Sequence, residues 1–438
     1  MNRREAVRLL GLGGGASVLS AQSKKPNFVF LFADDMGWGD AGFNGRRDWS
    51  TANLDRLASQ GTIFERWYSG MPLCAPSRAC LLTGRYTIHH GVRNNGTDIP
   101  ASEVTIAEAL KPLGYKTALF GKWHRGNLPG GGFTHPLDQG FDETFGYLDA
   151  RHAWEHFPKE LYRGKEKIPV QGYSCDLLAN EAIRFIKENR EHPFFLYVPF
   201  IEPHFNIEAP PENVAKYKGK FAEKNPAEPY NARYAGMIDR LDAAIGRIVR
   251  SLDELGLGKD TLVFFTSDNG ATFEARNQGA SAFHDSNHPY GGQKRSLEEG
   301  GIREPSFARW PGRIPAGKRN SDPMHMTDIL PTFLAAGGGA PDPAWKVDGI
   351  DLFEVWTGKA KMADRTLFWE WQVSGYDMCA AMRGDFKLLQ LGKNKFLYNV
   401  RKDPGERRTL AAEYPEIFER LQKELAVWLA TGKAKTAN

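Results

Sequence analysis

Four runs of strand length, residues 27–33, 116–121, 193–200 and 261–267, are dominated by apolar residues, and each gives way within a few positions to polar ones. A strand without alternation of apolar and polar positions has to be covered on both faces, which is the situation of a central strand in a parallel sheet. Helical patterns stand between them: residues 105–113, residues 175–189, and a long one in which Tyr234, Met237, Ile238, Leu241, Ile245, Ile248, Val249 and Leu252 recur on one helix face. Strands and helices in alternation predict an α/β fold with a large, mostly parallel or mixed central sheet flanked by helices. After about residue 345 the texture changes. Residues 365–371, 379–391 and 396–400 read as short antiparallel strands and 414–430 as a closing amphipathic helix. A smaller C-terminal α+β domain on an antiparallel sheet is therefore expected over residues 346–438, after a main domain at 23–345.

A chain of 438 residues, 41% hydrophobic and 25% charged, is long enough to bury such a core. Its net charge of +4 is slight for that length and gives no sign of a nucleic-acid partner. The cysteines at 74, 80, 175 and 379 are too few and too scattered for a disulfide framework or a zinc cluster, and Cys80 is expected to be packed. Residues 1–22 carry Arg3-Arg4, a weakly apolar stretch over 9–19, and Ser20-Ala21-Gln22. That order is expected of a twin-arginine-type export signal, which would make the protein periplasmic or secreted. No stretch is apolar for long enough to cross a bilayer, so no stable membrane insertion is expected.

Chemically useful residues gather at the ends of the strand-like runs, where open α/β sheets hold their ligands. Asp34 and Asp35 follow the first run directly, and Asp268-Asn269-Gly270 follows the run at 261–267. Three carboxylates and an amide form a hard-oxygen donor set that suits calcium or magnesium and lacks the His or Cys that would favour zinc. Gly121-Lys122-Trp123-His124 follows another run, and Pro203-His204 follows the run at 193–200. Lys294 stands in Gly292-Gln293-Lys294-Arg295, ahead of Glu299-Gly300-Gly301-Ile302-Arg303. Cys74-Ala75-Pro76-Ser77-Arg78 is followed almost at once by Leu82-Thr83-Gly84-Arg85, with a helix expected just after Cys74.

The Cys-x-Pro-Ser-Arg segment resembles the signature of the formylglycine-dependent sulfatases, members of the alkaline phosphatase superfamily. The resemblance runs from Asn27 to near the C-terminus, through Met326-Thr327-Asp328-Ile329-Leu330-Pro331 and Asp403-Pro404-Gly405-Glu406, with its motifs in the expected order. It implies an alkaline-phosphatase-like fold and an arylsulfatase-like sulfuric ester hydrolase. It also implies oxidation of Cys74 to formylglycine by a formylglycine-generating enzyme, and one calcium ion, with magnesium as the other candidate, on Asp34, Asp35, Asp268, Asn269 and the modified Cys74. Lys122, His124, His204 and Lys294 match the family's residues around the sulfate, the aldehyde hydrate and the leaving-group oxygen. The family usually has glycine after the lysine and tyrosine before the glutamate, where this chain has Arg295 and Glu298.

The chemistry needs these residue types. A sulfate monoester is anionic, so Lys122, Lys294 and Arg78 are expected to screen the approach of an anionic nucleophile, aided by the helix that follows Cys74. His204 or Lys294 is the expected donor of a proton to the leaving alcohol, and His124 the acceptor from the sulfated hydrate. The segment from Phe145 to His156, rich in aromatic residues and histidines, resembles those of bacterial enzymes acting on sulfated polysaccharides. A sulfated carbohydrate, with a galactose-type sulfate as one candidate, is the expected substrate, with Arg151 and His152 contacting the sugar. Two other readings stay open: a phosphodiester or phosphonate monoester hydrolase of the same superfamily, and, with Cys74 unmodified, a non-catalytic anion- or glycan-binding protein. Asn95-Gly96-Thr97 matches a glycosylation acceptor and is expected to be bare and turn-forming.

Overall fold

The computed structural model describes residues 25–125, 134–373 and 376–433. The proposed export signal at 1–22 lies outside the described residues. All four apolar runs form strands, as Asn27–Asp34, Lys116–Arg125, Phe194–Pro203 and Thr261–Ser267. They are mutually parallel, and Asn27–Asp34 lies between Thr261–Ser267 and Phe194–Pro203. Glu143–Asp149 adds a fifth parallel strand beside Lys116–Arg125. Antiparallel additions at both sides, Phe307–Arg309 on one and Glu160–Arg163 on the other, extend this centre into a mixed sheet of 10 strands.

The first strand shows why its sequence carries no alternation. Val29, Leu31 and Ala33 enter a core with the helices Ser174–Glu188 and Tyr230–Glu254, while Phe28, Phe30 and Phe32 enter a second core with the helix Ile329–Ala336. Successive side chains point to opposite faces, and both faces are covered. Burial of each of these phenylalanines contributes roughly 2–3 kcal/mol, so the strand is fixed in register from both sides and its C-terminal carboxylates are fixed with it. Tyr230–Glu254 meets the sheet through the predicted stripe: Tyr234, Met237, Ile238, Leu241, Ile245, Ile248, Val249 and Leu252 are all buried.

A separate antiparallel sheet of four strands, Thr366–Val373, Tyr376–Arg383, Phe386–Leu391 and Asn394–Asn399, follows, and the helix Pro415–Lys433 packs on it. The single strand expected over 379–391 is two strands, because Gly384 takes a left-handed conformation at φ 58° and turns the chain back on itself. Leu352 and Trp356 still pack into the core of the large sheet. The small sheet is tied to segments of the main domain by polar contacts. Trp369 Nε1 donates to the Ser69 carbonyl, Arg66 pairs with Asp385 at 2.8 Å, and the fully buried Lys387 ammonium lies 3.0 Å from both Glu299 and Glu406. Among the described residues, all four cysteines are free and buried, and no helix is long and apolar enough to cross a membrane. Cys80 packs against His90, with Sγ 3.3 Å from Nε2.

Candidate active site

Parallel pairing brings the two acidic turns together. Ala33 sits opposite Ser267, so Asp34-Asp35 and Asp268-Asn269 leave adjacent strands at the same level. The turns are stitched by the Asp268 amide donating to the Ala33 carbonyl and the Asp35 amide donating to Asp268 Oδ1 at 3.1 Å. Asp35 itself adopts φ 62°. Two glycines allow the backbone around the site to close up. A side chain on Gly270 would meet the Gly300 carbonyl oxygen at 1.9 Å, and one on Gly121, just before Lys122, would meet that of Pro199 at 1.9 Å.

Cys74 is the first residue of the helix Cys74–Thr83, one position further into the helix than the sequence suggested, with the extended Leu73 before it. Its Sγ lies 3.6 Å from Asp34 Oδ1, 3.9 Å from Asp35 Oδ1 and 3.3 Å from Lys294 Nζ. Burial pushes the thiol pKa far up, and the lysines Lys122 and Lys294 do not overcome it. An unmodified Cys74 is thus held as a neutral thiol, a poor nucleophile. The helix N-terminus is also engaged by Asn95, whose Oδ1 accepts from the Ala75 amide at 3.0 Å.

Lys122 Nζ lies 2.5 Å from Asp34 Oδ2, and Lys294 Nζ lies 2.7 Å from Asp35 Oδ1. Burial alone would raise the Asp34 carboxyl, but Lys122, with Arg78 and Lys294, holds it well below its usual range. Asp35 goes the other way. Burial outweighs Lys294, with Asp34 and Asp268 adding repulsion, and lifts it to about 7. Asp268 is raised as well, by burial and then by Asp34. Carboxylates pushed up by burial and by one another mark a place where added positive charge is favourable.

The residues present fit a hard divalent cation. Asp34, Asp35 and Asp268 are buried together, and the buried Asn269 Oδ1 has no hydrogen-bond partner among the described residues while its Nδ2 donates to Asp35 Oδ1 at 2.7 Å. A carbonyl oxygen left over beside three carboxylates has the chemistry of a calcium or magnesium ligand. Asp34, Asp35, Cys74 and His204 also offer ligand atoms within 4.8 Å of one another.

In front of the acids lies a cavity of about 340 Å³ whose lining includes Cys74, Lys122, His124, His204 and Lys294. His124 is 5% exposed and neither ring nitrogen has a partner among the described residues. Burial, then Lys122 and Arg78, holds it well below its usual pKa, so it stays neutral. His204 is also held neutral, mainly by burial. Its Nδ1 lies 2.7 Å from the Phe205 carbonyl, which can only accept, so Nδ1 carries the hydrogen and Nε2 presents a lone pair.

Three residues expected at the site stand off the cavity wall. Arg78 does not line the cavity: its Nε and Nη2 donate to Asp268 Oδ2 at 3.1 and 2.8 Å, and its Nη1 to the Lys122 carbonyl. Its contacts are thus with Asp268 and the backbone of Lys122. Arg151 and His152 are not on the cavity wall either. The His152 ring packs edge-on to Tyr147 and Tyr162, and Nε2 meets the Glu160 carbonyl. From the same segment, Ala150 and Trp154 line the cavity instead. The wall also includes Asn95, which the sequence marked only as a glycosylation acceptor, and Phe205, Glu274 and Arg276, which no motif marked. The Arg276 guanidinium lies 4.8 Å over the Trp154 ring. Arg295 adopts a left-handed backbone, at φ 71°, that a glycine takes without strain, and its guanidinium meets Glu274 at the cavity mouth.

Comparison with known proteins gives a consistent picture. The family model described as Sulfatase matches residues 26–339. N-acetylgalactosamine-6-sulfatase of Canis lupus familiaris is 33% identical, over 95% of this chain and 87% of that protein. Human (Homo sapiens) arylsulfatase A is 32% identical, also over 95% of this chain and 87% of that protein. The crystal structure of Ps i-CgsB in complex with k-i-k-neocarrahexaose superposes with a TM-score of 0.83 at 29% identity, covering 93% of each chain.

Proposed function

The chain belongs to the sulfatase family and is a sulfuric ester hydrolase, and on that premise we propose that it cleaves sulfate esters of a carbohydrate through a formylglycine made from Cys74. The observation that carries this reading is the position of Cys74, which has Asp34 and Asp35 on one side and the cavity with Lys122, His124, His204 and Lys294 on the other. Carbohydrate is favoured by the names of the relatives and by the aromatic wall at Trp154 and Phe205.

Conversion by a formylglycine-generating enzyme would replace an inert thiol with a hydrated aldehyde, of which one hydroxyl attacks sulfur and the other later expels sulfate. A calcium ion, or magnesium, held by Asp34, Asp35, Asp268, Asn269 and that hydroxyl would lower the hydroxyl's pKa. Lys122 and Lys294 bear on the same cavity as Cys74 and screen the charge of sulfate oxygens against the incoming oxyanion. Arg78 holds Asp268 in place. His124, neutral and with both nitrogens unengaged, takes the proton of the second hydroxyl. The leaving alcohol takes its proton from Lys294 or His204, both on the cavity wall; the Lys294 ammonium already carries one beside Asp35, whereas His204 Nε2 would first have to take one up. Export by the twin-arginine-type signal at 1–22 accords with a fold that is modified and loaded before it leaves the cytoplasm.

The test is on position 74. The Cys74 peptide from purified protein should be about 18 Da lighter than the unmodified peptide, the change expected when a thiol is exchanged for a carbonyl. Cys74→Ala should keep the fold and lose hydrolysis of 4-nitrophenyl sulfate. Full activity in that variant would exclude the reading.

A further inference from the structure

The active-site cavity is flanked by two others. One, of about 700 Å³, has Phe273 and Phe283 in its lining and shares Glu274 and Ala275 with the active-site cavity. The second, also about 700 Å³, has Phe157 in its lining and shares Trp154 with the active-site cavity. The two have no lining residue in common, so the active site is the link between them. Each is within the roughly 300–1,000 Å³ typical of ligand sites.

The exposed aromatic rings follow the same line. Among the described residues five large hydrophobic side chains are exposed, and three of them, Phe157, Phe273 and Phe283, line these two cavities. Two of the rings are buttressed: Phe157 stands edge-on to Tyr173 at 5.0 Å and Phe283 edge-on to His284 at 4.9 Å. A ring held rigid yet exposed costs little entropy when a flat apolar face is laid on it, and the C–H faces of pyranose rings are such partners. Between the two ends the Arg276 guanidinium is stacked on Trp154 and, among the described residues, pairs with no carboxylate, which leaves its N–H groups for an anion.

Resting on the sulfatase reading above, we propose that these three cavities form one groove that holds a sulfated glycan chain, with sugar residues on both sides of the one whose ester is cleaved. The enzyme then acts within chains, and its preferred substrate is an oligosaccharide rather than a sulfated monosaccharide. Phe157 on one side and Phe273 on the other are the platforms for the flanking sugars.

The experiment compares 4-nitrophenyl sulfate, galactose sulfate, and sulfated galactan oligosaccharides of two, four and six sugars, with products of the hexasaccharide mapped by mass spectrometry. Expected is a kcat/KM that rises at least about tenfold from monosaccharide to hexasaccharide, with sulfate lost from internal residues. Phe157→Ala and Phe273→Ala should each lower hexasaccharide kcat/KM about three- to tenfold more than that of 4-nitrophenyl sulfate, the worth of one aromatic contact. Turnover of 4-nitrophenyl sulfate with no gain along the ladder, or release from chain ends alone, would overturn the groove while leaving the sulfatase reading intact. Equal losses on small and long substrates in both variants would do the same. Loss of 4-nitrophenyl sulfate turnover in the unaltered protein would instead strike the reading on which the groove rests.

Discussion

Arg78 turns its guanidinium onto Asp268, with Nε and Nη2 at 3.1 and 2.8 Å from one carboxylate oxygen, and both residues are sealed from solvent. Removing one member of such a pair strands the other charge, at a cost of about 3–5 kcal/mol. Arg78→Ala should therefore lower the free energy of unfolding in urea by that amount as well as reduce hydrolysis. Arg78→Lys should recover only part of the loss, since one ammonium cannot reach both Asp268 and the Lys122 carbonyl. Unchanged stability in Arg78→Ala would show that Arg78 does not support the acids.

If Lys294 protonates the leaving alcohol, its removal should matter most where the leaving group is most basic. Lys294→Ala is expected to lose roughly 10²–10⁴-fold on a sugar sulfate and much less on 4-nitrophenyl sulfate, whose leaving group needs little help. A uniform loss on both substrates would confine Lys294 to binding the sulfate.

The oxygen donors at Asp34, Asp35, Asp268 and Asn269 predict stabilisation by a hard divalent ion. Calcium at a hundredfold excess over its dissociation constant should add about 2.7 kcal/mol to the folded state, seen as a rise in Tm over protein kept in EDTA. Asn269→Ala, which removes the unpartnered buried oxygen, should shrink that rise. Parallel titrations with magnesium decide between the two ions, and a Tm that neither ion moves would count against the site.

Lys387 bridges Glu299 and Glu406 with no access to water. Lys387→Met leaves two buried carboxylates facing each other and should cost about 3–5 kcal/mol. The double variant Lys387→Met with Glu406→Gln should regain part of that loss in guanidinium unfolding. A double variant no more stable than the single one would mean that packing, and not charge, sets the cost.

Two histidines away from the site give the fold an acid limit. Burial, only partly offset by a hydrogen bond to the Asn231 carbonyl, lowers His284 to about 4, and burial lowers His325 to about 3 despite Asp328. Both bind protons more readily once unfolded, where the usual value is near 6.5, so acidification favours the unfolded chain. Stability should be fully present above pH 6.5 and fall as the pH drops toward 4, by up to roughly 3 kcal/mol for His284. Urea midpoints measured between pH 7 and 4.5 should fall less steeply in His284→Gln than in the unaltered protein. The same slope in both would remove His284 from the account.

The sequence alone determined the central strands and the chemistry at their ends. Strands buried on both faces leave an unbroken apolar signal, and Asp34, Asp35, Asp268 and Asn269 follow two of them that the sheet sets side by side. Cys74, Lys122, His204 and Lys294 were legible because each sits in a distinctive local string, and these strings converge on one cavity. The hairpin at Gly384 was hidden, since the strands on either side of it carry similar apolar content. Tertiary structure alone decided which way side chains face. Arg78 turns inward because Asp268 arrives from a strand 190 residues away, and Trp154 rather than Arg151 or His152 forms the wall because Phe205 and Arg276 pack against it. Local spacing specifies which residues a loop contains. The direction each one points depends on partners that only the folded chain brings within reach.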